Sequence, residues 1–375
     1  VFFLTFFVGD LIKSLLEMGF TALSDVVSNG LDSANASGII KSLLVDGIIG
    51  GVGTIITFLP NIFILFLALA FLEDSGYMSR VAYVMEGLMS RLGLSGRAFI
   101  PMLLGFGCTV PAIMASRALE NKRDRFKVML VTPFMSCSAR LTIYILFAEM
   151  FFAQYAFLAA FSMYILGIIV AIVITAILHL IDKKKEVNYL LIELPEYKLP
   201  DAHTVGIYVW EKVKDYLVKA GTTIFVATLI IWALLHLGPS GYVDGTAIEN
   251  SFAGYIGKFL SPAFAPVGLG FWQIVVALIA GISAKEVVVS SCAVILGAAQ
   301  GSDAFMTALA GIGFGSLNAI CLMVFCLLYI PCVATLATIR KESKSWKWTI
   351  FTAVFQLVVA WVITLIVYQI GSLIV

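Results

Sequence analysis

The sequence predicts an all-α polytopic membrane protein built from two similar halves with interrupted helices, and three observations predict it. Of the 375 residues, 61% are hydrophobic and 13% charged, with a mean hydropathy of +1.02, an apolar excess that no soluble core requires. The charges gather in short islands between apolar runs long enough to cross a bilayer core. Glycine and proline interrupt those runs at corresponding places in the two halves, which is the pattern of discontinuous helices. A formal net charge of +1 excludes a nucleic-acid surface, because binding phosphates needs a clustered cationic excess.

Residues 1–46 read as the end of a first transmembrane helix, an interfacial helix and an external loop. Val1 to Val8 is apolar with no basic region before it, so the chain is expected to begin inside a membrane helix of a longer protein. From Asp10 to Asn29, Leu11, Leu15, Leu16, Phe20, Leu23, Val26 and Val27 recur at helical spacing, as in a helix lying at an interface or packed on a neighbour.

Residues 47–152 form the first repeat. The uncharged run 47–72 opens with Gly47, Gly50, Gly51 and Gly53 for close helix contact and is expected to break at Pro60. A charged corner with Glu73, Asp74 and Arg80 follows. The stretch 98–117 is long enough to span, but Pro101, Gly105, Gly107 and Pro111 interrupt it around Cys108. A broken helix frees backbone carbonyls and amides, tolerated at membrane depth only in protein or along a wet cavity. Arg117, Lys122, Arg123, Arg125 and Lys127 then make a basic island, cytoplasmic by the positive-inside rule. The run 128–152 crosses back, carrying Arg140 and Glu149.

Residues 153–258 read as central spans around a polar elbow at 183–219, which opens with the anchor Lys183, Lys184 and Lys185. The elbow's segment Val209, Trp210, Val213, Tyr216 and Leu217, with Lys212, Lys214 and Lys219 opposite, should lie on the membrane. A span at 220–237 and an external loop with Asp244 and Glu249 complete this part. Residues 259–375 form the second repeat: a span at 259–284, the corner Lys285 and Glu286, and an uncharged run 304–339 too long for one crossing and broken at Gly311, Gly313, Gly315 and Pro331. The basic island Arg340, Lys341, Lys344 and Lys347 precedes the final span. A duplication with broken helices at matching places points to a transport site at the repeat interface. Charge counting makes the repeats parallel, whereas such repeats are often inverted, and their orientation stays open.

Cys108, Cys137 and Cys332 each sit beside a break, next to Pro111, Pro133 and Pro331. Thiolates with small oxygen ligands suit Fe²⁺ or Zn²⁺ and suit Mg²⁺ or Ca²⁺ poorly; the alternative is a small hydrophobe in packing. Cys292, Cys321 and Cys326 lack an adjacent break and read as packing. No cysteine pattern forms a disulfide framework or zinc knuckle. Glu73, Asp74 and Glu286 could attract a divalent cation at an entrance, or could join Arg140, Glu149 and Lys285 in ion pairs that fix helices. His179, His203 and His236 lie at segment ends and read as interfacial. Gly93-Leu94-Ser95-Gly96 matches a serine-protease pattern without a histidine placed as its base, and no P-loop is present, so an enzyme reading of this chain fails.

Ordered motifs across nearly the whole chain carry a resemblance: Leu59-Pro60-Asn61, the corner from Leu72 to Arg80, Gly105-Phe106-Gly107-Cys108-Thr109-Val110-Pro111-Ala112, the stretch from Thr132 to Leu141, Glu193-Leu194-Pro195-Glu196-Tyr197, Ala284-Lys285-Glu286, and Tyr329-Ile330-Pro331-Cys332-Val333-Ala334-Thr335. The chain resembles the membrane domain of the ferrous-iron transport protein B (FeoB) family. The resemblance implies two gate repeats related to those of nucleoside transporters, at 47–152 and 259–375, and import of Fe²⁺ across a bacterial inner membrane, with no permanently bound cofactor. The family's pore cysteines carry over to Cys108, Cys137 and Cys332. It also implies an N-terminal GTPase domain, using GTP and Mg²⁺, outside this chain, small cytoplasmic accessory proteins as partners, and a homo-oligomer. Thr142 stands where the family has proline. The rival reading on the same fold is a carrier of nucleosides or another small solute, which calls for polar hydrogen-bonding side chains at the breaks.

Overall fold

The computed structural model describes residues 2–33, 37–182, 197–239, 241–243, 245–298 and 300–374. The lysine anchor at 183–185, the motif residues 193–196 and Asp244 lie outside them. The described residues are almost wholly helical, with one short antiparallel pair, Leu237–Gly238 and Gly241–Tyr242.

α1 (Phe2–Ser33) is uninterrupted, so the expected membrane segment and the amphipathic stretch after it are one element. α2 (Gly38–Ser42) enters α3 (Gly50–Asp74) through a π-helical turn at Leu43–Ile49. Pro60 does not break α3, contrary to the sequence expectation. A proline removes one i to i−4 hydrogen bond, a loss that a membrane helix absorbs through its neighbours. After a turn at Gly76, whose φ is 75°, come α4 (Tyr77–Arg91), α5 (Phe99–Gly105) and α6 (Thr109–Ala115). The last two are the halves of the stretch expected to be broken.

α7 (Lys122–Val131) is capped by Asn121, which accepts the Arg123 amide at 2.9 Å. α8 (Ser138–Phe152) and α9 (Ala156–Ile181) form a hairpin that turns at Ala153, whose φ is 22°. Tyr164 meets Tyr144 edge-on, Gly167 lies against the Phe134 carbonyl, and Asp182 reaches Lys127 at 2.9 Å, so α9 retraces α8 and then α7. α10 (Ala202–Asp215) begins where the Asp201 carboxylate accepts the Thr204 amide at 3.0 Å and hydroxyl at 2.8 Å. It continues through a π-helical turn at Tyr216–Gly221 into α11 (Thr222–His236), so the described part of the amphipathic elbow is the first half of a longer helix.

The span expected at 259–284 is two helices. α12 (Phe252–Phe264) and α13 (Trp272–Ala280) meet at 103°, because Pro266 and the left-handed Gly268, with φ of 74°, stop the first helix and turn the chain. α14 (Val287–Leu296) follows the corner. The long uncharged run divides where its glycines and proline fall, into α15 (Asp303–Gly311), α16 (Ser316–Leu328) and α17 (Val333–Ser343), and α18 (Trp346–Ile374) closes the chain. Among the described residues five helical runs, Gly38–Asp74, Lys122–Ile181, Ala202–His236, Ser316–Ser343 and Trp346–Leu373, are long and apolar enough to cross a membrane, and the bent α12–α13 pair makes a sixth if taken as one span. The run Lys122–Ile181, at 60 residues, is about three times the length of one crossing, which the hairpin at Ala153 explains.

Contacts divide the chain into two compact units that cut across the sequence repeats: Val1–Ser90 with Ser95–Ile100 and Val187–Ala233, and Arg91–Leu94 with Pro101–Glu186 and Leu234–Val375. In the first, glycines let helices approach, as their clustering predicts. A Cβ on Gly53 would stand 3.3 Å from the Phe20 ring, and Gly47 and Gly51 face Trp232 and Thr228 of α11. Trp232 Nε1 also donates to Ser42 Oγ at 3.0 Å.

In the second unit α6 and α17 run side by side in the same direction. Ile113 and Ile339 are fully buried in one cluster with Met129. Beyond it, the buried Glu342 carboxylate accepts from Arg117 Nε at 2.7 Å and from Arg125 Nη2 at 2.6 Å. The two basic islands therefore meet at one end of this unit, and an acid at the heart of the second is what joins them. Replacing Glu342 by Ala is expected to destabilise the protein by about 1–3 kcal/mol, less than for a fully buried pair because Arg117 keeps solvent contact. Glu249→Gln, at an exposed 3.9 Å pair with Lys258, should change stability by less than about 0.5 kcal/mol; thermal unfolding in detergent compares the two.

Candidate functional site: three cysteines at broken helices

Each of the three cysteines beside a proline is the residue immediately before a helix. Cys108, extended at φ −151° and ψ 130°, precedes α6; Cys137, at φ −77° and ψ 162°, precedes α8; Cys332, at φ −59° and ψ 154°, precedes α17. Serine, threonine, asparagine and aspartate prefer this position because their oxygens accept the free amides of the first turn. Cys137 and Cys332 make no such bond, while the Cys108 thiol lies at the Val110 amide in the first turn of α6. The prolines fit the same local logic. Pro111 lies in the first turn of α6, where no intrahelical N–H is needed, and Pro133 opens the tight turn Thr132–Phe134. Pro331 stands in the gap between α16 and α17.

The breaks are stitched to one another. The Gly107 carbonyl, freed at the end of α5, accepts both the Ser138 amide at 3.3 Å and the Ser138 hydroxyl at 3.1 Å, which sets Cys108 and Cys137 back to back. Cys108 feels the charge of both Cys137 and Cys332. The Val333 amide donates to the Ile282 carbonyl at 2.9 Å, tying the start of α17 to the gap between α13 and α14, while Cys332 Sγ contacts Thr335 Oγ1 at 3.2 Å. Cys108, Cys137 and Cys332 are half-buried, and Cys292, Cys321 and Cys326 are buried. Among the described residues no three His, Cys, Asp or Glu side chains close into a metal cage. A cation at the breaks would therefore combine thiolates with backbone oxygens or retained water.

Two buried cations frame the thiols. Arg140, 1% exposed, donates through Nη1 to the Pro133 carbonyl at 2.9 Å and the Met135 carbonyl at 3.1 Å, and its Nε has no partner among the described residues. Lys285, 3% exposed, donates to the Ile330 carbonyl and lies 3.1 Å from the centre of the Tyr329 ring. Lys285 and Arg140 sense each other, and Lys285 also senses Cys137, Cys326 and Cys332.

The remaining sequence candidates lie elsewhere. Glu73 and Asp74 are exposed at the end of α3, where Glu73 meets the Tyr208 hydroxyl and Asp74 accepts the Asp201 amide at 3.1 Å. Glu286 precedes α14 in the same gap as Lys285, and Glu149 is exposed on α8. Sequence reasoning missed Ser138, Ile282 and Tyr329 as partners of the breaks. It also missed Glu342, although a lone acid in a basic island was a visible signal.

The family described as Gate, nucleoside recognition, matches residues 55–151 and 217–346, and the ferrous iron transport protein B C terminus matches residues 160–212. A Staphylococcus aureus protein named Fe(2+) transporter FeoB is 45% identical over 334 residues, covering 89% of this chain and 50% of the relative. A Methanocaldococcus jannaschii protein of the same name is 41% identical over 379 residues, covering 100% and 55%. A Porphyromonas gingivalis relative, 37% identical and covering 98% and 48%, is named an Fe(2+) transport protein A/Fe(2+) transporter FeoB fusion protein. The chain spans about half the length of these curated relatives. No solved structure matches it.

The burial pattern sets an order of thiol reactivity. A small methanethiosulfonate reagent applied to the protein in membranes should label Cys108, Cys137 and Cys332 at least about tenfold faster than Cys292, Cys321 and Cys326, since thiolate character and access set the rate. Peptide mass spectrometry over a labelling time course reads the order directly, and equal rates would show that the breaks are sealed.

Proposed function

Because this chain belongs to the FeoB family of ferrous-iron transport proteins, we propose that it is the membrane permease part of a GTP-regulated Fe²⁺ importer of a bacterial inner membrane, with the metal passing a cysteine-lined constriction at the broken helices. The observation that carries this reading is that Cys108, Cys137 and Cys332 are half-buried, each immediately before a helix at a break, with the first two breaks joined by Ser138 at the Gly107 carbonyl. Fe²⁺ enters hydrated, exchanges part of its water for thiolate and backbone oxygen, and leaves when the breaks rearrange. Borderline ions gain from sulfur, while Mg²⁺ and Ca²⁺ keep their preference for oxygen.

The regulatory and partner roles rest on the same family. A GTPase domain and a small accessory protein of the transport protein A kind would act from the side of the basic islands, where α6 and α17 are joined through Glu342. A fusion of those two kinds of protein in one relative supports the accessory partner. The competing nucleoside carrier needs free hydroxyls at the breaks. Here Ser138 is spent on the Gly107 carbonyl, Ser136 meets the Tyr144 hydroxyl at 3.3 Å and Thr335 meets Cys332.

Fe²⁺ uptake into proteoliposomes by the full-length protein tests the proposal. Cys108→Ser and Cys332→Ser should each lower the initial rate at least about tenfold with thermal unfolding unchanged, because serine keeps the size and loses the soft ligand. Cys321→Ala should transport as the parent does. Undiminished uptake by both serine variants would remove the thiols from the pathway, and competition of uptake by nucleosides would favour the rival carrier.

A further inference from the structure

A cavity of about 420 Å³ opens where α17 turns into α18, lined by Phe126, Ser345, Lys347, Trp348 and Phe351. Its wall is aromatic: Phe126 meets Trp348 edge-on with ring centres 4.8 Å apart, and Phe351 lies 5.3 Å from Trp348. Its rim is cationic. The segment 340–347 holds Arg340, Lys341, Lys344 and Lys347 with a single acid, and that acid, Glu342, is buried and taken by Arg117 and Arg125. Arg340 has a ring partner, Trp346, with its guanidinium 5.0 Å from the ring centre. Lys344, held in the left-handed region at φ 53°, makes the corner between the helices. Lys344 and Lys347 are exposed, and no ion pair of either is present among the described residues. The positive end of the α18 dipole adds to their charge.

Below the cavity the chemistry reverses. Phe351, Val354, Val358 and Val362 recur at helical spacing on α18, each 42–54% exposed, and form an apolar stripe along a membrane-length helix. A site with cations above, aromatic rings at the boundary and an apolar track beneath matches an anionic phospholipid and no soluble anion. Free phosphate would gain nothing from Phe126, Trp348 and Phe351, whereas a diacyl lipid gains from all three parts. Tryptophan at the interface and basic pockets beside a membrane helix are the expected features of such a site.

We propose that this cavity binds the phosphodiester headgroup of an anionic phospholipid, with Lys347 and Lys344 as its charge partners and the acyl chains on the α18 stripe. The lipid bears on the α17–α18 corner, and Phe126 and Trp348 pack against the Ile113, Met129 and Ile339 cluster that holds α6 to α17. The occupied site thus braces the end of the helix pair whose other end carries Cys108 and Cys332.

Native mass spectrometry of the full-length protein, delipidated in detergent and titrated with phosphatidylglycerol or phosphatidylcholine, tests the assignment. Phosphatidylglycerol should be retained at a lower concentration than phosphatidylcholine. Lys347→Gln should weaken it about fivefold, and the double variant with Lys344→Gln further, since a basic residue near the surface contributes about 1 kcal/mol. Lys258→Gln, on the separate exposed pair with Glu249, should leave retention unchanged. Glycerol phosphate at the same concentration should not bind. Equal retention of the two lipids, an equal loss with Lys258→Gln, an unchanged Lys347→Gln, or retention of glycerol phosphate would each overturn the proposal. Phe351→Ala, which keeps every charge, separates aromatic packing from electrostatics: it should weaken both phospholipids by a similar factor, and a loss confined to phosphatidylglycerol would count against the assigned geometry.

Discussion

Backbone polar groups freed inside a membrane must find partners, and that constraint organises this protein. Three helices stop around Cys108, Cys137 and Cys332, and the backbone groups released at the breaks are taken by specific partners. Ser138 takes Gly107, Arg140 takes Pro133 and Met135, Lys285 takes Ile330, and the Val333 amide takes Ile282. Each unsatisfied carbonyl in hydrocarbon would cost several kcal/mol, so these bonds are conditions for the breaks to exist. They explain why Arg140 and Lys285 are buried without a carboxylate partner shown at either: their hydrogen bonds go to the chain itself.

The same elements link two distant features. α17 holds 11 residues, roughly 16 Å at 1.5 Å per residue, and runs from Cys332 at one end to Glu342 at the other. α6 runs beside it from Cys108 towards Arg117. A rigid pair with thiols at one end and an ion-pair junction at the other transmits a displacement, because packed helices slide or stay and do not bend continuously.

The breaks were legible in the sequence because Gly and Pro mark them and because the surrounding runs are uncharged. Gly107, Pro111, Pro133, Gly313 and Pro331 all fall at or beside helix ends. Pro60 shows the limit of that reasoning: it stands inside α3, since one missing hydrogen bond does not stop a helix whose neighbours support it. At Gly268 two signals combine, a proline two residues before and a backbone that only glycine adopts freely, and the chain turns. That bend went unread because the flanking residues are as apolar as any span. The partners of the breaks were illegible for a different reason. Ser138 reaches Gly107 across 31 positions and Glu342 reaches Arg117 across 225, and spacing along a chain carries no information about contacts of that range.

The buried cations pose a question of charge that the proposed cargo answers. On the proposed pathway Arg140, held by the Pro133 and Met135 carbonyls, sets a positive charge beside the thiols that would repel a cation. Sodium, potassium and magnesium gain little from sulfur, whereas an ion that drew thiolates from the proposed ligands Cys108, Cys137 and Cys332 would offset that repulsion. On that proposal the fixed charge would act against the wrong ions more than against the right one, a form of specificity built from repulsion. The arrangement needs the cysteines and the fixed charges together. Without Arg140 and Lys285 the carbonyls of Pro133, Met135 and Ile330 would lose their anchors, and on the proposed pathway the fixed charge without thiols would repel every cation.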